Sequence, residues 1–295
     1  MSSSEKKRVA LISVFAAVFL TSIKLAVGAM TGSLGILSEA FHSGLDLLAA
    51  IITLQAVKFS SRPSDSTHHY GHGKIENLSA IIETLLLLVV CGWVVYEATH
   101  RIIVGGSELM IKVNVFSYLV VITSIVIDVW RSKKLYKVAK KYKSQALEAD
   151  ALHFSTDIWS SSVVLLGLIC VSIGEYTGIK AFYYADSVAA LGVAVLVIFV
   201  SYQLGKRAID ALLDAAPEKE SKDVEQIIKD FPEVITFHDL RVRQSGHQLL
   251  IEATIHVESG LSLAEAHIIT DKLEAALLKY DEFIIANIHV EPHKH

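Results

Sequence analysis

The chain has 295 residues, of which 52% are hydrophobic, and a mean hydropathy of +0.47, which excludes an ordinary soluble domain of this size. Its 2 cysteines, Cys91 and Cys170, both lie inside apolar runs, which excludes a disulfide framework and a cysteine-rich zinc module. Residues 1–210 carry a net charge of +4 and residues 211–295 a net charge of −8; the acidic part also holds 7 of the 13 histidines, a balance that suits cations and excludes nucleic acid.

Six stretches are long and apolar enough to be membrane spans of about 20 residues: Val9–Met30, Leu34–Phe59, Ile75–Ile103, Ile111–Trp130, Leu147–Ile173 and Phe182–Leu204. Lys6, Lys7 and Arg8 resemble the start of a signal peptide, but the apolar run behind them is too long and has no cleavage site. Fifteen Lys and Arg residues fall in the segments on one side of the spans and three on the other, Arg101, Lys112 and Lys180. By the positive-inside rule both termini are cytoplasmic. Lys24 lies within the first span and is expected to pair or snorkel.

Beyond Asp214 the pattern becomes that of a folded polar domain. Val224, Ile227, Ile228 and Phe231 recur at helical spacing. TFHDLRVRQSG and HQLLIEATIHVES alternate around Ser245-Gly246 and read as a hairpin. LSLAEAHIITDKLEAALLKY reads as a second amphipathic helix and FIIANIHVEP as a last strand. The expected architecture is an α-helical membrane protein with six transmembrane helices in residues 1–210. A small cytoplasmic α+β domain of order αββαβ follows in residues 211–295. A domain of this size is marginal alone and gains from pairing with a second copy.

Ionisable groups at membrane depth are costly and mark function. His42 and Asp46 stand four residues apart in the second span, and His153 and Asp157 repeat that spacing in the fifth. Each pair shares a helix face. Facing each other, they offer two imidazoles and two carboxylates, a tetrahedral set suited to a divalent ion of the zinc type. Glu39, Glu83, Asp128 and Asp186 are secondary polar positions in the spans. The loop after the second span, RPSDSTHHYGHGKIE, places Asp65, His68 and His72 at spacings of three and four, with Gly71 and Gly73 allowing tight turns.

These features together resemble the cation diffusion facilitator family: two His-x₃-Asp pairs, DSTHHYGHGK between the second and third spans, and an αββαβ domain carrying HDLRVRQSG. The bacterial zinc/iron-type exporter branch is the nearest match. The resemblance implies a homodimer in a lipid bilayer that exports divalent metal from the cytoplasm in exchange for protons. It places the transport site on His42, Asp46, His153 and Asp157, and a loop site on Asp65, His68 and His72. It also implies cytoplasmic-domain ligands at His238, His256, His267, His289 and Glu291, the last standing where the family often has Asp. Zn2+ is the expected substrate and regulatory ion, with Cd2+ as a companion, because His42 replaces the Asp of some relatives. Lys74 and Asp214 match positions used as a salt-bridge interlock.

Two alternatives stay open. One is an Fe2+ or Mn2+ exporter of the same family. The other is a membrane-anchored metal sensor in which the soluble domain does the work. An intramembrane zinc hydrolase is disfavoured, because four side chains close the metal shell and HExxH is absent. The chain is therefore expected to be no enzyme, and to lie in the inner membrane.

Overall fold

The computed structural model describes residues 2–31, 34–104, 115–177 and 182–293. Six long helices come first: α1 Ser2–Thr31, α2 Leu34–Ser60, α3 Ile75–Val104, α4 Val115–Tyr142, α5 Gln145–Thr177 and α6 Phe182–Leu212. Then follow α7 Glu218–Lys229, β1 Thr236–Ser245, β2 Gln248–Val257, α8 Leu263–Tyr280 and β3 Ile284–Pro292.

Among the described residues, four helices are long and apolar enough to cross a membrane, over Ser4–Met30, Ala40–Ser60, Ile75–His100 and Leu191–Leu212. The fourth and fifth expected spans run partly through residues or side chains outside those described. In α4 the apolar run that starts at Val115 meets Arg131, and the preceding stretch, 105–114, lies outside the described residues. In α5 Glu148, Asp150, His153 and Asp157 lie in the first half, and several side chains of the apolar second half lie outside the described residues.

The chain divides into two compact units, Met1–Pro63 with Ile75–Ala208, and Ser64–Lys74 with Ile209–His295. In the first, α1 packs on α2 and α4, α4 on α5, and α3 on both α2 and α5. Small residues permit these approaches, as Ala10, Ala50, Ala56, Ala139, Ala146 and Ala151 surround Phe154 in the buried cluster. Gly205 of α6 sits against Thr84 of α3. The large apolar side chains left outside, such as Phe15, Val89 and Trp93, suit a lipid environment.

One buried ion pair ties the ends of several helices. Lys6 Nζ donates to Glu76 Oε1 at 2.7 Å, and Ser60 Oγ to the same oxygen at 2.8 Å. Ser144 Oγ donates to Glu76 Oε2. Lys24, expected to pair or snorkel, donates from Nζ to Ser43 Oγ at 2.8 Å.

The second unit holds the expected αββαβ order. β1 and β2 pair antiparallel, β2 and β3 parallel, giving the sheet order β1-β2-β3. Leu249, Ile251, Ala253, Ile255 and Val257 recur at the strand period and join Val224, Ile228, Leu273 and Leu277 in the core. α8 starts in a capping box: Ser262 Oγ accepts from Glu265 N, and the Glu265 carboxylate accepts from Ser262 N at 2.8 Å. The opposite sheet face carries Glu252, Thr254 and His256 of β2 beside Asn287, His289 and Glu291 of β3.

Candidate metal centres

Helical spacing brings each His–Asp pair to one face, and the packing of α2 on α5 interleaves them. His153 Nε2 lies 3.2 Å from Asp46 Oδ1 and 3.7 Å from Asp157 Oδ2. His42 Nε2 lies 3.9 Å from Asp46 Oδ1 and 3.7 Å from Asp157 Oδ1. Each imidazole therefore faces a carboxylate from both helices. Ligands bonded at about 2 Å around a tetrahedral ion stand about 3.3 Å apart, so these separations suit the chemistry of the donor set. Asp46, His153 and Asp157 are buried.

Two of the secondary polar positions, Glu83 and Asp128, make contacts of their own. Glu83 accepts from Thr53 Oγ1 and, at 3.0 Å, from Ser79 Oγ. Asp128 Oδ1 accepts from Arg131 Nη1 at 3.3 Å. The side chains of Glu39 and Asp186 lie outside the described residues. Cys91 is a buried free thiol, and the side chain of Cys170 is outside the described residues.

The loop of residues 64–74 builds a second group. Asp65 Oδ1 accepts from Thr67 N at 2.9 Å, Thr67 Oγ1 at 2.8 Å and His68 N at 2.7 Å, an Asx turn. These bonds, led by the one from Thr67 N, hold the Asp65 carboxyl well below the usual carboxylate range. It stays anionic on acidification past the point where an ordinary aspartate protonates. Gly71, at φ +75°, donates its N–H to His68 O and folds the loop back. His68 Nδ1 then stands 3.4 Å from Asp65 Oδ1, and His72 Nε2 3.6 Å from Asp65 Oδ2.

That loop is anchored to the hairpin of its own unit. Arg243 lies over the Tyr70 ring at 4.6 Å. Lys74 Nζ is 2.8 Å from Asp214 Oδ1, and Arg243 Nη1 is 3.5 Å from the same oxygen. The Lys74 hydrogen bond is the main reason the Asp214 carboxyl titrates below its usual range. Lys74 and Asp214 thus pair within one chain. Gly246, at φ +60°, begins the β1–β2 turn, and a Cβ there would stand 2.9 Å from Gly73 Cα. Gly246→Ala adds this clash to a left-handed penalty of about 1–2 kcal/mol. It is expected to expose the loop to protease cleavage while the sheet stays folded. Parent-level resistance would count against this anchoring.

The third group lies on the polar face of the sheet. His256 stands beside Glu291 in the parallel register, and His289 beside Thr254. A bulge between His238 and Arg241, with Asp239 at φ +51°, interrupts β1. The His238 and His256 rings lie 5.0 Å apart. The ligand atoms of His238, His256 and Glu291 all fall within 4.8 Å of one another, as do those of Asp65, His68 and His72, and those of His42, Asp46 and Asp157.

Of the five cytoplasmic-domain ligands expected, three converge in this way. His289 joins them through Glu291, at 3.6 Å. His267, on α8, lies 3.8 Å from Asp271 and belongs to none of these three groups among the described residues. Sequence reasoning passed over Asp271, although its place four residues after His267 was a usable signal. It also passed over Asp150, one turn before His153, and His293, whose ring lies 6.1 Å from that of His256.

Comparison with known proteins covers the same regions. Residues 10–213 match the cation efflux transmembrane domain, and residues 216–293 the cytoplasmic domain of cation efflux proteins. The cation-efflux pump FieF of Yersinia enterocolitica is 32% identical over 97% of this chain and 92% of its own length. The protein of the same name from Salmonella arizonae is 28% identical over 97% of this chain and 92% of its own length. Among solved structures, the metal-bound C-terminal domain of the CzcD transporter from Thermotoga maritima is 33% identical, covering 25% of this chain and 88% of that one, with a TM-score of 0.25. A helical multi-pass membrane domain followed by a small α+β domain, matched along nearly its whole length, makes this chain a member of the cation efflux family, the cation diffusion facilitators.

Proposed function

We propose that the chain is a proton-coupled antiporter that exports divalent metal from the cytoplasm, with Zn2+ as the preferred substrate and Cd2+ as a second. The observation that carries this reading is the interleaving of His42 and Asp46 with His153 and Asp157 across α2 and α5. Efflux proteins of this family are transporters, not enzymes. Two imidazoles with two carboxylates favour zinc over the harder, oxygen-preferring manganese ion. The relatives named as cation-efflux pumps support export.

In this reading six helices within residues 1–210 cross the inner membrane, with both termini cytoplasmic. Residues 211–295 form the cytoplasmic domain, and two copies make the working homodimer. The imidazoles of His42 and His153 ligate only where a ring nitrogen is unprotonated. Metal and protons therefore compete for the same atoms, and alternating exposure of that site exchanges one for the other. Asp46 and Asp157 supply the negative charge that draws a cation into a low-dielectric interior. Asp65, His68 and His72 offer a metal-binding group on the loop, and His238, His256, His289, Glu291 and His267 offer groups through which cytoplasmic metal regulates the dimer.

Proteoliposomes holding the purified protein test the coupling and the choice of metal together. Zinc flux is expected to rise with a proton gradient directed against it, and excess Fe2+ or Mn2+ is expected to compete weakly. Flux indifferent to the gradient would end the antiport reading. Stronger competition by Fe2+ or Mn2+ would replace zinc as the preferred substrate.

A further inference from the structure

Asp150 and His153 each bury a polar atom that has no hydrogen-bond partner among the described residues: Oδ1 of Asp150 and Nδ1 of His153. Asp150 is 0% exposed and His153 3%. They stand at i and i+3 on α5, so they share a face and a depth, and each lies within the other's electrostatic field. A ring N–H and a carboxylate oxygen are complementary partners, and a native interior rarely leaves such buried atoms unmatched.

The other oxygen of Asp150 is held firmly. Ser13 Oγ of α1 donates to Asp150 Oδ2 at 3.1 Å, and Arg131 Nη2 of α4 donates to Ser13 Oγ at 3.1 Å. The Arg131 guanidinium lies over the Phe154 ring at 3.5 Å. Phe154 in turn stands edge-on to the His153 imidazole, at 5.4 Å and 82°. Residues from three helices thus fix the carboxylate one turn from the imidazole. Meanwhile His153 Nε2 faces Asp46, on the side where metal would bind.

We propose that Asp150 is the positioning residue of His153: its unmatched oxygen accepts a hydrogen bond from Nδ1–H, directly or through one water, when Nε2 holds metal. This rests on the reading of His153 as a transport ligand. A metal-bound imidazole must carry its remaining proton on the nitrogen turned away from the metal. A carboxylate there fixes that tautomer and strengthens the ligand. Arg131 and Ser13 orient Asp150, and Asp150 orients the ring. The four ligands alone do not call for this residue; the two orphan atoms point to it.

The test compares zinc dependence of flux in proteoliposomes for the parent protein, Asp150→Asn, Ser13→Ala and His153→Ala. It adds ¹⁵N spectra of the labelled histidine rings in the metal-free and zinc-loaded protein. Asp150→Asn is expected to raise half-saturating zinc by about 10-fold or more, with maximal flux retained, as for loss of an outer-shell partner. Ser13→Ala is expected to shift it in the same direction by less. In the zinc-loaded parent the His153 ring is expected to be the Nδ1–H tautomer, with its Nδ1 resonance displaced in Asp150→Asn. Half-saturation within about twofold of the parent, with unchanged ring resonances, overturns the proposal. So does a fall in maximal flux alone, which marks a purely structural role. Parent-level flux by His153→Ala instead overturns the ligand assignment beneath it.

Discussion

Asp157→Ala is expected to lower zinc flux in proteoliposomes by about 100-fold or more, beyond the loss of an outer-shell partner. The residue is buried and lies 3.7 Å from both His42 Nε2 and His153 Nε2. Its removal takes one of two carboxylates from a four-donor set and leaves both imidazoles facing Asp46 alone. His42→Ala is expected to act similarly, by removing the donor that distinguishes this set from an oxygen-richer one. Elution of each variant as a single folded species separates loss of transport from loss of fold. Transport at the parent rate by both variants would refute the assignment of the site.

Glu76→Ala is expected to cost about 3–5 kcal/mol of stability, the usual cost of leaving a buried charge without its partner. Lys6 would be left without its 2.7 Å contact, and Ser60 and Ser144 without their acceptor. The effect reaches across the bundle because those three residues come from α1, from the end of α2 and from the turn into α5. Replacing both charges, as Lys6→Met with Glu76→Leu, is expected to recover most of the loss, since the pair itself contributes little beyond neutralising its own desolvation. Thermal unfolding in detergent measures both. A single Glu76→Ala variant as stable as the parent would show that Lys6 relaxes to water instead.

The fold was legible where it depends on local chemistry. The apolar runs anticipated six long helices, and the alternation around Ser245-Gly246 anticipated the β1–β2 hairpin. The apolar runs that became α4 and α5 also carry ionisable groups, and these belong to the interior of the bundle. α4 turns basic at Arg131, and α5 carries the carboxylates and imidazole that the interior uses. The cytoplasmic-domain group was only partly legible. His256 and Glu291 meet because β3 joins β2 in parallel, in a register that sequence does not state. His267 is held away on α8, where Asp271 is its neighbour.

By itself the sequence determined what helix and strand geometry enforces: His42 over Asp46, His153 over Asp157, His289 and Glu291 on one strand face, and the order of elements. Those relations follow from 3.6 residues per turn and from a strand period of two, and need no distant partner. Which elements meet follows from the packing of the whole chain. It interleaved the α2 and α5 pairs, anchored the loop of residues 64–74 against the β1–β2 turn, and set Asp150 beneath His153 on a frame from α1 and α4. Contacts of this kind depend on packing volumes and strand register summed over the chain. Their outcome is written in no single motif.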